Sequence, residues 1–396
     1  MLLYTTIIKN LQIKPLSLAD LNSMTNASLP TLRKAVQELT DHHWIRVVGQ
    51  AEANGGRPAM LFGFDESYYI LLGVHIQLPG LRLMVSDLSG NVLDAQEMFQ
   101  KEQASPQQIM QAIIDYTQTI QSRFNGRKLL GIGIAAPGFT DPETGNIISI
   151  GRVPGWENFP ICQRLSSQLH VPAQIANDID CMAFAEFQHA RKSFVDNLVY
   201  IGFDEGVKAS MFLNGELYKG SFGNAGLIVD RPLNMPDNSL LSQDYHRILT
   251  ISGFNQIFEE QIKLLPPTDQ ASYQHIIDMH YRQRMGAIFQ SAQTNDPICQ
   301  NMVHMLNTVL AIAIANIIYV IQPDTLVIGG ILSAMSSQQF NTLSASIREQ
   351  LPVLFANHIQ IEQAQLQSRN ISALGANYHF IENHLLSETF ELLQSL

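Results

Sequence analysis

The pattern of apolar and polar positions changes period several times along the chain, and each change marks an element. Near the N-terminus Leu18, Leu21 and Met24 form a short apolar face behind Ser17, with Asp20 three residues on. This is a capping box, in which hydroxyl and carboxylate each satisfy a backbone N–H of the first helical turn. Thr25–Ala27 reads as a turn, and Asn26 tolerates the left-handed backbone a turn needs. Ser28 caps a second helix with Pro30 in its first turn, where a missing N–H does no harm. In that helix Leu32, Ala35, Val36 and Leu39 recur at i, i+3, i+4 and i+7, the spacing of one buried face. Thr31, Arg33, Lys34 and Gln37 lie on the other side. Two short helices joined this way make a helix-turn-helix. Trp44–Gly49 and Met60–Phe64 then read as strands around the loop Gln50–Ala59, a wing with Arg57 at its base beside Gly55 and Gly56.

Beyond residue 64 one layout occurs twice. Tyr69–Phe99 reads as strand, turn, strand, hairpin at Ser89-Gly90, strand, and Asn197–Ser221 repeats it with the hairpin at Asn214-Gly215. The first copy leads to a helix at about Pro106–Phe124 and a buried strand, Leu129–Gly138. The second leads to a helix at about Asp296–Tyr319 and a strand, Thr325–Gly330. Such duplication predicts two similar α/β lobes with a cleft between them. The turns after the leading strands, His75–Gly80 and Phe203–Lys208, are where such folds hold nucleotide phosphates, which need glycine N–H groups close by. The first turn has no carboxylate for a metal. The second puts Asp204 and Glu205 where phosphates would lie, so the chain reads as poorly built for ATP.

Composition sharpens the division. The net charge is -11, but residues 1–63 hold six Lys/Arg against four Asp/Glu, +2, leaving -13 for the remainder. The basic excess sets off an N-terminal module. Three scattered cysteines, Cys162, Cys181 and Cys299, make neither a disulfide framework nor a thiolate zinc site. The apolar run Val309–Gln322 is short of the ~20 residues a membrane span needs and reads as a buried helix. The N-terminus lacks a basic signal-peptide start, and a cytoplasmic protein is expected.

The assembled pieces resemble the ROK family (repressor, open reading frame, kinase) over nearly the whole length. Gly56–Ala59 after the winged module resembles the family's regulators. Gly131–Ile147 resembles its first sugar-side segment, Val153–Ile161 its Gly-Trp segment, Ala176–Glu186 the segment with the catalytic base, and Ile321–Gly330 the adenosine-side signature. The resemblance implies an N-terminal winged helix-turn-helix at 1–64, then a duplicated two-lobe actin-like/ribonuclease-H-like ATPase fold. Lobe 1 is expected at 65–190, with a C-terminal helix at 378–396 packing back on it, and lobe 2 at 191–377. The kinase and zinc motifs are degenerate. His75 and Gln77 stand where family kinases have Asp-x-Gly, Leu227 replaces a sugar-binding glutamate, and Asp230 replaces a zinc-binding histidine. Arg231–Gln243 contains no cysteine.

Asp178 matches the family's general base, but the phosphate donor site is not kept, so it is read as a vestigial base with no catalytic residue remaining. Gly138, Asn158, Asn177 and Asp178 are the candidate ligand-binding residues, and Trp156 is read as a packing anchor. Ser28, Thr31, Arg33, Lys34, Gly55, Gly56 and Arg57 are the candidate DNA-binding residues, because the start of a recognition helix and a wing are where groove and phosphate contacts arise. The expectation is a repressor of carbohydrate metabolism that binds a double-stranded operator as a homodimer or homotetramer and senses a sugar or sugar derivative. It uses no metal, no cofactor and no membrane. Two other readings compete: an active ATP-dependent sugar kinase with a DNA-binding arm, and a regulator without a ligand controlled by a protein partner.

Overall fold

A computed structural model describes residues 2–52, 58–98, 104–151, 153–190, 195–221, 223–228, 245, 247–366 and 370–387. Gly55, Gly56 and Arg57, together with Asp230 and residues 231–243, lie outside the described residues. The chain forms two compact units: Met1–Phe194 with Ser368–Leu396, and Val195–Gln367.

The first unit begins with α1 (Leu2–Leu11), β1 (Leu16–Ser17), α2 (Leu18–Thr25), α3 (Leu29–Asp41), β2 (Ile45–Gln50) and β3 (Met60–Phe64). The capping box forms as read, with Ser17 Oγ accepting from the Asp20 N–H and the Asp20 carboxylate accepting from the Ser17 N–H at 2.9 Å. Asn26 takes the left-handed conformation, φ 51°. Leu32, Ala35, Val36 and Leu39 are buried on α3. Short β1 joins the wing, giving a three-stranded sheet in the order β1-β3-β2.

The same unit continues with β4 (Tyr69–Gln77), β5 (Gly80–Ser86), β6 (Val92–Met98), α4 (Pro106–Arg123), β7 (Lys128–Ala136), β8 (Phe139–Asp141), β9 (Asn146–Ser149), α5 (Ile161–Leu169), β10 (Ala173–Asn177) and α6 (Asp178–Ala190). Its main sheet runs β10-β7-β4-β5-β6. The second unit has β11 (Leu198–Phe203), β12 (Val207–Leu213), β13 (Glu216–Leu217), β14 (Thr325–Gly330) and β15 (Gln360–Gln363), ordered β13-β12-β11-β14-β15. Read from the hairpin edge, the two orders are the same. In both, the leading strand pairs antiparallel with the second and parallel with a strand from far along the chain. The duplication is therefore topological, and hairpins at Gly90 (φ 86°) and Asn214-Gly215 (φ 54° and 79°) close the same step in each.

Both turns differ in their boundaries from the sequence reading. His75 and Gln77 are strand residues, since β4–β5 pairing continues to Gln77 opposite Gly80 and leaves a two-residue connection. In the second unit the turn shrinks to Asp204–Gly206 for the same reason. The apolar run at Val309–Gln322 belongs to a longer helix, Pro297–Ile321, whose 25 residues are by length and composition enough to cross a membrane. Its Met302, Leu306, Leu310, Ile314 and Ile318 lie in the second unit's core, as expected of a central helix.

The C-terminal helix, Ile371–Ser387, starts seven residues before the expected 378 and belongs to the first unit. It lies against β4, β7 and α6 at distances only glycine permits. A Cβ on Gly73 would sit 2.3 Å from the Ala373 carbonyl oxygen, one on Gly133 2.3 Å from that of Ala376, and one on Gly375 1.6 Å from that of Cys181. The winged module is not a loose appendage. Ile7, Ile8, Leu11, Trp44 and Phe64 share one buried cluster with Leu71, Leu130, Phe380 and Ile381. Lys9 pairs with Glu382 at 2.9 Å, and Tyr69 Oη donates to the His42 carbonyl at 3.2 Å.

Candidate functional site

The residues matched to the ligand pocket gather where β10 becomes α6. Asn177 is the last residue of β10, and its Oδ1 accepts from the N–H groups of Ile179 (3.1 Å) and Asp180 (3.4 Å), capping α6. Its Nδ2 donates to the Gly138 carbonyl at 3.1 Å. Gly138 follows β7 with φ 79°, and a Cβ there would meet the Ser149 carbonyl oxygen at 2.3 Å, so only glycine fits. Asp178 opens α6 and is buried, its carboxylate accepting from the Ile179 N–H at 2.9 Å. Structure thus joins Gly138, Asn177 and Asp178. Asn158 is exposed on the adjoining loop, in the left-handed region (φ 47°), with its N–H donating to the Ile148 carbonyl at 3.1 Å. Trp156 is fully buried in the first unit's core and meets Phe159 edge-on at 5.6 Å, a packing anchor.

Asp178 also has a neighbour that the sequence reading did not pair with it. His75 Nε2 on β4 lies 3.9 Å from Asp178 Oδ2, both side chains buried. Position 75 therefore places an imidazole beside Asp178, where a carboxylate would add like charge.

In the second unit Asp204 and Glu205 are not bare. Arg282 spreads its guanidinium across them, one terminal nitrogen on Asp204 and the other on Glu205. Tyr281 Oη donates to Glu205 at 2.7 Å, and Arg282 Nε donates to Tyr281 Oη at 3.2 Å. Burial works against the Arg282 charge, but the two facing carboxylates outweigh it and hold the group protonated more firmly than usual. Burial and Glu205 push the Tyr281 phenol up to about 12, so it stays a donor. Asp204 and Glu205, read from the sequence as two acids at a phosphate-type turn, are therefore corrected to members of an internal ion pair. The signal was out of reach because Arg282 lies 78 residues from Asp204. Nearby, Gly226 (φ 89°) sits where a Cβ would be 1.8 Å from the Ala209 carbonyl oxygen, and Leu227 is half exposed.

On the winged module Thr31, Arg33 and Lys34 are exposed along α3. Ser28 Oγ accepts from the Thr31 N–H at 3.3 Å and lies 2.7 Å from Thr31 Oγ1, so Ser28 is first a cap. Lys34 reaches Glu38 at 3.8 Å while remaining 78% exposed, a pairing too weak to remove it from solution.

The ROK family model matches residues 72–230 and 273–383, covering both repeated lobes. The chain belongs to the ROK family. It is 22% identical over 397 residues to the xylose repressor of Bacillus subtilis (strain 168), covering 97% of this chain and 95% of that one. It is 21% identical over 369 residues to the DNA-binding transcriptional dual regulator NagC of Escherichia coli (strain K12), covering 92% and 88%. Among solved structures, a ROK family transcriptional regulator described as a homolog of the E. coli MLC protein superposes with a TM-score of 0.78 at 19% identity, covering 97% of this chain and 98% of that one. A ROK family glucokinase from Streptomyces griseus, bound to glucose and AMPPNP, superposes with a TM-score of 0.63 at 17% identity, covering 78% and 98%. These establish the shared fold.

Proposed function

We propose that this ROK protein is a DNA-binding transcriptional repressor of carbohydrate metabolism, whose ROK part senses a sugar or sugar derivative without phosphorylating it. One observation carries the reading. Regulators of the family align with 92–97% of the chain, whereas the kinase aligns with 78%. The regulators' extra reach goes with a winged helix-turn-helix at the N-terminus, whose α3 leaves Thr31, Arg33 and Lys34 exposed. Arg57, with Gly55 and Gly56 beside it in the sequence, is proposed to add a backbone phosphate contact. One such module reads too few base pairs for a specific site, so a homodimer or homotetramer would supply the paired half-sites.

Gly138, Asn177 and Asp178 provide a rigid acceptor-rich corner for sugar hydroxyls, with Asn158 on its rim. His75 beside Asp178 and the Arg282-filled Asp204–Gly206 turn both argue against a nucleotide. A polyphosphate entering that turn would have to displace a guanidinium already held by two carboxylates. Phosphoryl transfer depends on positioning and charge neutralisation of the phosphates, and nothing on that turn supplies either. We therefore derive no step through ATP or magnesium. The test pairs two assays on the purified chain: binding to a genomic duplex library with and without a sugar panel, and ATP-dependent phosphorylation of the same sugars. Specific duplex capture with no turnover supports the proposal. Turnover that vanishes in Asp178→Asn would instead identify an enzyme.

A further inference from the structure

The first turn of α3 carries apolar surface where a groove-reading helix meets the bases. Leu29 is 42% exposed and belongs to none of the core clusters among the described residues, and Pro30 beside it is exposed. A single exposed leucine is ordinary on a protein surface. This one is continuous with Pro30 and has Arg33 one turn below it and Lys34 one turn below Pro30, both exposed. The acids of the helix lie toward its other end: Glu38 is held by Tyr4 Oη and Lys34, and Asp41 accepts from Gln37 Nε2 at 2.7 Å. The leading half of the face is therefore apolar at the tip and cationic behind, which matches a phosphate-walled groove with a hydrocarbon group on its floor.

The usual alternative for a helix start, capture of a phosphate by free N–H groups, is poorly served here. Pro30 has no N–H, the Thr31 N–H is bound by Ser28 Oγ at 3.3 Å, and the Leu32 N–H by the Ser28 carbonyl at 2.9 Å. The tip is built to press on carbon. In the DNA major groove the one apolar group that distinguishes a base is the thymine 5-methyl. We propose that Leu29, backed by Pro30, reads a thymine methyl in each half-site, as a specificity-determining contact. This rests on the reading of α3 as the major-groove helix.

The probe is DNA differing by that methyl alone. The full-length protein first selects duplexes from a randomised library. Each thymidine of the enriched site is then replaced singly by deoxyuridine, and affinities are measured for the wild type, Leu29→Ala and Leu29→Met. Removing one buried methyl should weaken wild-type binding about fourfold at one thymidine per half-site. The penalty should vanish in Leu29→Ala and persist in Leu29→Met, with all three proteins giving the same thermal midpoint. Uniform tolerance of deoxyuridine by the wild type, a penalty of equal size in Leu29→Ala, or an enriched site without thymidine would each overturn the assignment. Failure to enrich any sequence would be a different result, since it would remove the DNA-binding reading itself and this contact with it.

Discussion

Gly375→Ala isolates the packing of the C-terminal helix against α6, the helix that Asp178 opens. The added methyl would lie 1.6 Å from the Cys181 carbonyl oxygen and 2.4 Å from its carbonyl carbon. These are backbone atoms of α6, so no rotamer change relieves the clash. Ordinary contact begins near 3.4 Å, so the two helices must part by almost 2 Å. The C-terminal helix has nowhere to go, because Gly73 and Gly133 already hold its opposite side at glycine-only distance. Overpacking of a well-filled core costs about 1–3 kcal/mol, and a clash between backbones belongs at the top of that range. Better helix propensity returns roughly 1 kcal/mol. The net loss should be about 2 kcal/mol, a large share of the ~5–15 kcal/mol by which a domain is stable. Urea unfolding followed by tryptophan fluorescence measures it directly, because both tryptophans, Trp44 and Trp156, are buried in the first unit. Gly49→Ala, where nothing lies within 4 Å of the new methyl, is the control. An unfolding midpoint for Gly375→Ala equal to that of Gly49→Ala would refute the claim that this contact is rigid.

Arg33→Ala and Lys34→Ala should each weaken operator binding with the fold intact; a lost phosphate contact lowers the salt slope by about one, and a lost base contact costs about 1–3 kcal/mol at one position. Arg282→Ala leaves Asp204 and Glu205 facing each other without their cation. It should destabilise the second unit by about 3 kcal/mol, less than a fully buried pair because Glu205 is 40% exposed, with Arg282→Ala/Asp204→Ala/Glu205→Ala recovering part of the loss in thermal circular dichroism. Acid stability should depend on Asp65. Burial opposes its charge, but hydrogen bonds from Ser67 and the charges of Arg46 and His43 hold its pKa below the ordinary carboxylate value. Its contribution is therefore complete above that ordinary value, near pH 4, and is lost as pH falls through the depressed one, so Asp65→Asn should flatten the stability–pH curve on that acid side.

What could be read from the chain and what could not divide along the length of the contacts involved. Ser17, Asn26, Ser28 and Pro30 each act within four residues of themselves, so the caps, the turn and the second helix followed from neighbours alone. The repeat was equally legible, because its hairpins and strand periods are local and occur twice. Helix α1 carries a local signal of the same kind: Tyr4, Ile7, Ile8 and Leu11 fall at i, i+3, i+4 and i+7. Its role was not readable, since the partners that bury it, Phe380 and Ile381, come from the far end of the chain. The early start of the C-terminal helix has the same origin. Gly375, a poor helix residue, suggests a boundary by propensity, and only the Cys181 carbonyl of α6 explains why it lies inside the helix.

The second phosphate-type turn shows how far such a reading can mislead. Asp204-Glu205 beside Gly206 offers a reader two negative charges and one flexible residue, and a local argument stops at repulsion. A folded protein does not leave buried carboxylates to repel, because an uncompensated buried charge costs several kcal/mol. The physical rule demanded a cation, although the sequence could not say which. Arg282 meets the demand with a fork whose spacing suits two carboxylates, and Tyr281 supplies a neutral donor to the more exposed of them. Under the proposed reading nucleotide would be disfavoured by occupancy rather than by repulsion, and the two causes differ in their response to mutation. Were repulsion the cause, Asp204→Asn/Glu205→Gln alone would bring back affinity for ATP. With Arg282 as the occupant, that double variant should loosen the turn and release the guanidinium without rebuilding the glycine-lined cradle, and ATP binding measured by calorimetry should stay absent. Recovery of ATP binding in the double variant would show that charge alone had closed the site.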